Sequence, residues 1–171
     1  MEQTFEYPNL LAGTRSGRGW TLPSGKPAGV NKYAYRYGPI IPIYNKNATE
    51  SFLFSPPVVL HTGTDYVLSF LAACTDNLKG FDVHVLDVDA SYTGWIGAEM
   101  NPEKPGGGGR WYSLPFRLSG ASHDGASYRI RFDNNGSSDG ENAIVWFHDV
   151  MLTEGTEPRA WAPAEGEVWP E

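Results

Sequence analysis

Three tyrosines recur at every second position in one short stretch, and their spacing suits contact with sugars. Tyr33, Tyr35 and Tyr37 would share one face of an extended segment, which we call the tyrosine strip. Phenol rings stack on the apolar face that axial C–H bonds give a sugar ring, while their hydroxyl groups form hydrogen bonds. The alternative is ordinary packing between tyrosines on neighbouring strands of a sheet. The sequence alone leaves both interpretations open.

Polar residues that alternate with apolar ones on two predicted strands form a second candidate surface. Asp82 and His84 belong to one strand, and Arg129 and Arg131 to another. Because alternate side chains point to the same side of a strand, these four are expected to line a polar groove on an outer sheet face. The tyrosine strip and Trp95 would form its rim. The alternative is a sheet face that is solvated or that contacts another copy of the chain.

The residue patterns of common catalytic sites are incomplete in this sequence. Its four histidines are scattered, whereas a zinc-dependent hydrolase needs two at helical spacing. Ser122, His123 and Asp124 are the residue types of a nucleophilic triad, but adjacent residues cannot link their side chains in the required order. The glycine run before Arg110 lacks the lysine of a phosphate-binding loop and precedes a strand. We therefore predict a protein that is not an enzyme.

Composition indicates one β-rich domain. The chain has 171 residues, including 20 glycines and 13 prolines, which favour many turns and short strands over helices. The first 40 residues carry a net charge of +3 and the rest −10, which together give −7. No large basic patch favours duplex nucleic acid, and no apolar run approaches the roughly 20 residues that span a bilayer. We predict no nucleic-acid partner and no membrane insertion.

Cys74, inside an apolar run, is expected to be a buried inert thiol.

Periodicity predicts an all-β fold, an antiparallel β-sandwich of the jelly-roll type with about eight strands. The strongest strand signal is Ile144 to Thr153, where both alternations are mostly apolar, so this strand is expected in the middle of a sheet with both faces covered. Residues 89 to 110 are expected to form a long loop. The other predicted strands are an edge strand in Pro39 to Tyr44, then Ser51 to Phe54, Val58 to Leu60, Tyr66 to Cys74, Phe81 to Val88, Trp111 to Leu118, and the segment around Tyr128 to Phe132.

Several motifs resemble the jelly rolls of carbohydrate-binding modules. They are Asn9-Leu10-Leu11 with Trp20, Phe52 to Pro56 leading into Gly63 to Phe70, and Phe147 to Leu152. The ending from Met151 to Gly155, with Pro158, Trp161, Pro163 and Glu165 after it, is similar to the endings of such domains in bacteriophage tail and other virion structural proteins. Together these short motifs cover most of the chain.

The resemblance implies a non-enzymatic virion protein that decorates or extends a tail, fibre or capsid and adheres to host-surface glycans. Other virion proteins and further copies of the chain would be its partners, and a trimer would suit a fibre. It would be made in the cytoplasm of the bacterial host and reside in the virion. The alternative is a free-standing carbohydrate-binding module, and a glycan-cleaving enzyme is a weaker third. The resemblance also implies one structural calcium, with Asp149 as the candidate ligand; otherwise Asp149 would hydrogen-bond a loop, and no other cofactor is expected.

The chain is expected to divide into a jelly roll of residues 1–153 and an extended acidic tail of residues 154–171. Turn residues from Glu154 to Pro158 mark the change, and prolines and tryptophans follow. An extended arm buries too little surface to order by itself. We therefore expect the tail to dock on a neighbouring subunit.

Overall fold

Two antiparallel sheets form the fold. The structure, a computed structural model, describes residues 5–31, 39–88, 96–119 and 122–167. Within these ranges it contains nine strands and no helix, so no described helix could cross a membrane. The strands are β1 (Ile41–Asn45), β2 (Ser51–Phe54), β3 (Val58–Val59), β4 (Tyr66–Cys74), β5 (Phe81–Asp87), β6 (Ile96–Met100), β7 (Arg110–Phe116), β8 (Ser127–Asn134) and β9 (Ala143–Glu154).

The order of the strands is that of a jelly roll, in which neighbours in a sheet come from distant parts of the chain. One sheet has four strands in the order β1-β9-β4-β7. The other has five, with the order β2-β8-β5-β6 and with β3 also pairing to β8. Every pairing between these nine strands is antiparallel. The predicted all-β sandwich is confirmed.

Phenylalanines from both sheets meet in the centre of the sandwich. Phe70 and Phe147 come from the four-stranded sheet, and Phe81 and Phe132 from the five-stranded one. The rings of Phe132 and Phe147 are 4.2 Å apart between centroids, and Phe70 lies 5.4 Å from Phe132 in an edge-on arrangement. Such pairs contribute about 0.5–1.5 kcal/mol each beyond the apolar area they bury. The outer faces of β5 and β8 are thus carried on a rigid base.

A bulge in β9 explains why both alternations of that strand looked apolar in the sequence. Ser69 pairs with Met151 and Leu71 with His148, so β9 holds one extra residue between these pairs. Asp149 lies there, and among the described residues it is the only non-glycine with a positive φ, of 51°. The bulge shifts the residues that face the core from odd to even positions. The predicted central position of this strand is confirmed, because it lies between β1 and β4.

Residues 161–167 pack against the amino-terminal part of the same chain. The side chain of Asn9 donates to the carbonyl of Val150 at 2.8 Å and accepts from the amide of Leu152 at 3.0 Å. Its backbone amide donates to the carbonyl of Pro163 at 3.1 Å. The indole of Trp161 donates to the hydroxyl of a buried threonine, Thr14, at 2.9 Å. This part of the predicted tail therefore contacts its own domain, while docking on a neighbour stays a prediction.

One predicted loop is wrong in part. Residues 89 to 110 were expected to be a loop, but Ile96–Met100 forms β6 and pairs with β5 at the edge of the five-stranded sheet. Its apolar residues do alternate with Gly97 and Glu99, but glycine, alanine and glutamate have a low propensity for strands, so the pairing with β5 decides the structure of this segment. Cys74 is buried, as expected, and burial raises the pKa of its thiol.

Candidate binding face on the five-stranded sheet

The outer side of the five-stranded sheet carries a continuous set of polar and aromatic side chains. His84 in β5 lies opposite Arg131 in β8, and Leu86 lies opposite Arg129. The neighbouring strands continue the same outer surface, because Glu99 in β6 pairs with His84 and Phe54 in β2 pairs with Arg131. We call this set the polar face, and its members are Phe52, Phe54, Asp82, His84, Leu86, Glu99, Arg129, Arg131 and Asp133.

A buried ion pair fixes the centre of the polar face. Arg131 donates to both carboxylate oxygens of Asp133, from Nε at 2.8 Å and from Nη2 at 3.0 Å. Asp133 is fully buried, and the Arg131 side chain is 13% exposed. The guanidinium also lies 4.2 Å from the ring centre of Phe52, within the range of a cation–π contact. Two-point pairing and stacking leave Arg131 little rotational freedom.

His84 lies between two carboxylates. Its Nδ1 is 3.2 Å from Oδ2 of Asp133, and its Nε2 is 3.3 Å from Oε1 of Glu99. The hydrogen bond to Asp133 raises the pKa of His84 most, and Glu99 adds to the rise, against the effects of burial and of Arg131. Arg131 Nη2 also lies 3.3 Å from Nδ1, but a protonated Nδ1 cannot accept a hydrogen bond from it. We therefore assign Nδ1 as the donor to Asp133.

The structure brings four of the predicted site residues onto this one face. His84, Arg129 and Arg131 lie there, and so does Asp82, whose Oδ2 accepts a hydrogen bond from Asn135 at 2.8 Å. The tyrosine strip and Trp95 lie outside the described residues. The role of all these residues in binding stays a prediction.

Sequence analysis missed five members of the polar face, one of which is Leu86, an apolar residue on the outward side of β5. Phe52 and Phe54 flank a core residue in β2, so alternation gave a usable signal for them. Asp133 continues the outward row of β8, but its tight pairing with Arg131 and His84 depends on how β5 and β8 align. Glu99 lay in a predicted loop.

Exposed aromatic rings also occur on the outer side of the four-stranded sheet. Trp111 is 63% exposed and Tyr44 is 55% exposed. They belong to β7 and β1, the two edge strands, so three strand spacings separate them, or about 14 Å. That is too wide for both rings to contact one sugar. The polar face is therefore the better candidate, because its groups lie on adjacent strands.

The carboxylate of Asp149 lies between two basic side chains. Arg15 Nε lies 2.7 Å from one carboxylate oxygen of Asp149, and His148 Nε2 lies 3.2 Å from the other. Burial favours a higher pKa for Asp149, but His148 and Arg15 hold it below its usual value. Calcium takes six to eight oxygen ligands, and the described residues contain no group of three metal-ligating side chains. Asp149 thus pairs with two basic side chains in the bulge, and the calcium ion stays a prediction.

Ser122, His123 and Asp124, which have the residue types of a nucleophilic triad, contact different partners in the structure. Ser122 Oγ lies 2.9 Å from Ser119 Oγ, and His123 Nδ1 lies 2.8 Å from Oδ2 of Asp87. Asp124 instead accepts a hydrogen bond from the amide of Thr62 at 3.0 Å. These three adjacent residues do not form a nucleophilic triad.

Comparison with known proteins identifies the fold and no family. No family model and no curated protein matches this chain. A solved family 4 carbohydrate-binding module (CBM4) is 16% identical, with 80% of this chain and 95% of that chain covered and a TM-score of 0.59. The module TmCBM61, solved with β-1,4-galactotriose, is 16% identical, with 86% and 99% covered and a TM-score of 0.55. At such identity the likeness shows the fold alone.

Proteins of other kinds share this fold. The enzymatically active domain of tailspike protein 4 from bacteriophage CBA120 is 13% identical, with 86% of this chain but 21% of that chain covered and a TM-score of 0.56. A cyclase from Fischerella sp. has the fold as well. Carbohydrate-binding modules recur among these structures, and the likeness to each of them shows the fold alone.

Proposed function

We propose that this chain is a non-catalytic carbohydrate-binding domain that holds a glycan across the polar face. The observation that carries the proposal is the buried pairing of Arg131 with Asp133, which presents fixed polar groups beside the rings of β2. The likeness to carbohydrate-binding modules supports the same function through the fold.

The face offers both kinds of contact that a sugar uses. Phe52 and Phe54 are partly buried rings on the outer side of β2, and they can cover the apolar face of a sugar. Glu99, whose side chain is 50% exposed, can accept hydrogen bonds from sugar hydroxyls. Because the ion pair already holds its side chains in place, little conformational entropy is lost when a glycan binds.

Binding can be tested with single changes on the two sheets. Isothermal titration with a panel of oligosaccharides, β-1,4-galactotriose among them, should find a ligand for the wild-type domain. Phe54→Ala and Glu99→Gln should each weaken that binding about tenfold, a loss of about 1.4 kcal/mol. Trp111→Ala, on the other sheet, is the matched control and should bind like the wild type.

Two results would contradict the proposal. If Trp111→Ala abolishes binding while both polar-face variants bind normally, the glycan lies on the four-stranded sheet. If the folded wild type binds no member of a broad panel, the function itself is wrong.

A virion component remains a second proposal, favoured by the likeness to the bacteriophage tailspike. In that case residues 154–171 would contact a neighbouring subunit, and the chain would form oligomers such as trimers. Sedimentation of the purified chain and immunogold labelling of phage particles test it. A monomer that is missing from particles would remove this proposal and leave glycan binding unaffected.

A further inference from the structure

One charged side chain of the polar face has no partner among the residues that the structure describes. Arg131 donates two hydrogen bonds to Asp133. Asp82, which lies opposite Asp133 on β5, accepts a hydrogen bond from Asn135. Glu99 lies against the imidazole of His84. The side chain of Arg129, in contrast, forms no hydrogen bond or ion pair with any residue that the structure describes, and its Nε is buried.

The location of Arg129 makes it available to a ligand on the face. It lies in β8 two residues before Arg131, so their side chains leave the same side of the strand about 6.6 Å apart. Its neighbour across the strand pair is Leu86, which is partly buried and apolar. A ligand lying on Leu86 would therefore place its polar groups beside this guanidinium.

Burial and shape together select the type of acceptor. A buried N–H that has lost water is stabilised when an acceptor reaches it, and a charged donor gains most from a charged acceptor. The Nε–H and an Nη–H of arginine form a planar fork that matches the two oxygens of a carboxylate or sulfate, whereas a neutral hydroxyl fills one arm.

The overall charge of the chain does not prevent such binding. The net charge is −7, but charges farther apart than about 8 Å are largely screened at physiological ionic strength. Within the face, Asp133 is already neutralised by Arg131 and His84. No carboxylate of the described residues pairs with the guanidinium of Arg129, so its charge is available to an anionic ligand.

We propose that the glycan held on the polar face is anionic and that Arg129 binds its carboxylate or sulfate group. This rests on the proposed function, and it adds the chemical class of the ligand.

The test compares the binding of two anionic polysaccharides with that of a neutral one. Polygalacturonate, its fully methyl-esterified form and a sulfated galactan are compared by affinity gel electrophoresis, with wild type, Arg129→Gln and Arg129→Lys. The wild type should bind at least one of the two anionic polymers about tenfold more tightly than the ester, and 0.5 M NaCl should abolish that preference. Arg129→Gln should bind all three polymers at the level of the ester, and Arg129→Lys should keep part of the preference. Arg110→Gln, on the four-stranded sheet, is the control and should behave like the wild type.

The possible outcomes separate the ligand class from the function. Preference for polygalacturonate identifies a carboxylate as the bound group, and preference for the galactan alone identifies a sulfate. Equal binding of charged and neutral forms, or a loss in Arg129→Gln that is the same for all three, overturns the anionic ligand while glycan binding stands. If the folded wild type binds neutral glycans of the broad panel but none of these polymers, only the anionic ligand is overturned. If it binds neither these polymers nor any member of the panel, both proposals are overturned. Thermal melts of each variant show whether a loss of binding is a loss of folding.

Discussion

Replacing Asp133 by asparagine should destabilise the domain strongly, although the two side chains have nearly the same shape. Asp133 is fully buried and pairs with Arg131 at 2.8 and 3.0 Å. Removing one partner of a buried ion pair costs about 3–5 kcal/mol, because the other charge stays buried and uncompensated. The Arg131 side chain keeps 13% exposure and so retains some hydration. We therefore expect a loss of about 3 kcal/mol, or a Tm lower by about 6–12 °C for a domain of this size.

The pH dependence of the same variant gives an independent check. The pKa of His84 is raised above 6.5 in the folded protein, chiefly by its hydrogen bond to Asp133. The folded state thus binds this proton more tightly than the unfolded chain. The stabilisation is complete below pH 6.5 and is lost as the pH rises through the folded-state pKa. Asp133→Asn should lose most of this pH dependence, while any contribution from His148, whose pKa is also raised, remains in both proteins.

Urea unfolding followed by tryptophan fluorescence measures both effects. Asp82→Asn is the matched control, since this carboxylate accepts a hydrogen bond from the neutral amide of Asn135, and it should cost about 1 kcal/mol. The double change Arg131→Met with Asp133→Leu removes both charges and should recover most of the lost stability. A loss below about 1 kcal/mol in Asp133→Asn, with an unchanged pH profile, would refute the buried ion pair as the anchor of the polar face.

Two further predictions concern the rest of the chain. Ending the chain after Ala160 should lower the free energy of unfolding by at least about 2 kcal/mol, because it removes the indole that donates to Thr14 and the carbonyl that accepts from Asn9. Urea titration measures this loss, and Glu165→Ala, a change at an exposed position, is the control. Unchanged stability of the shortened chain would show that these contacts contribute nothing. Cys74 should react with a thiol reagent such as DTNB only after unfolding, because the residue is 1% exposed and burial raises its pKa; fast labelling of the native protein would contradict its buried position.

Alternation in the sequence was enough to find most of the fold. Ser51–Phe54 and Tyr66–Cys74 are strands with the predicted bounds. Tyr128, Ile130 and Phe132 are fully buried, as their alternation with arginines indicated. Such positions are set locally, because one side of each strand must be buried and the other need not be. The edge strand β6 was missed although Ile96, Ala98 and Met100 alternate with Gly97 and Glu99, because the segment is short and glycine, alanine and glutamate favour strands only weakly.

The candidate site was less accessible to sequence analysis. Placing His84 and Arg131 on one face needed only their periodicity, whereas their contacts with Asp133 depend on the register between β5 and β8. A shift of one residue would have turned these side chains to the opposite face. The bulge at Asp149 was equally hidden, since a positive φ is uncommon for an aspartate.

The bridge between Asn9 and Ala164 has a consequence for how such a domain can be joined to other chains. These residues lie side by side in a parallel pair, although 155 positions of sequence separate them. A domain whose two connections to the rest of a chain lie close together can be inserted into a surface loop of another protein through short linkers, without separating the ends of that loop. The architecture would therefore tolerate transplantation between unrelated scaffolds.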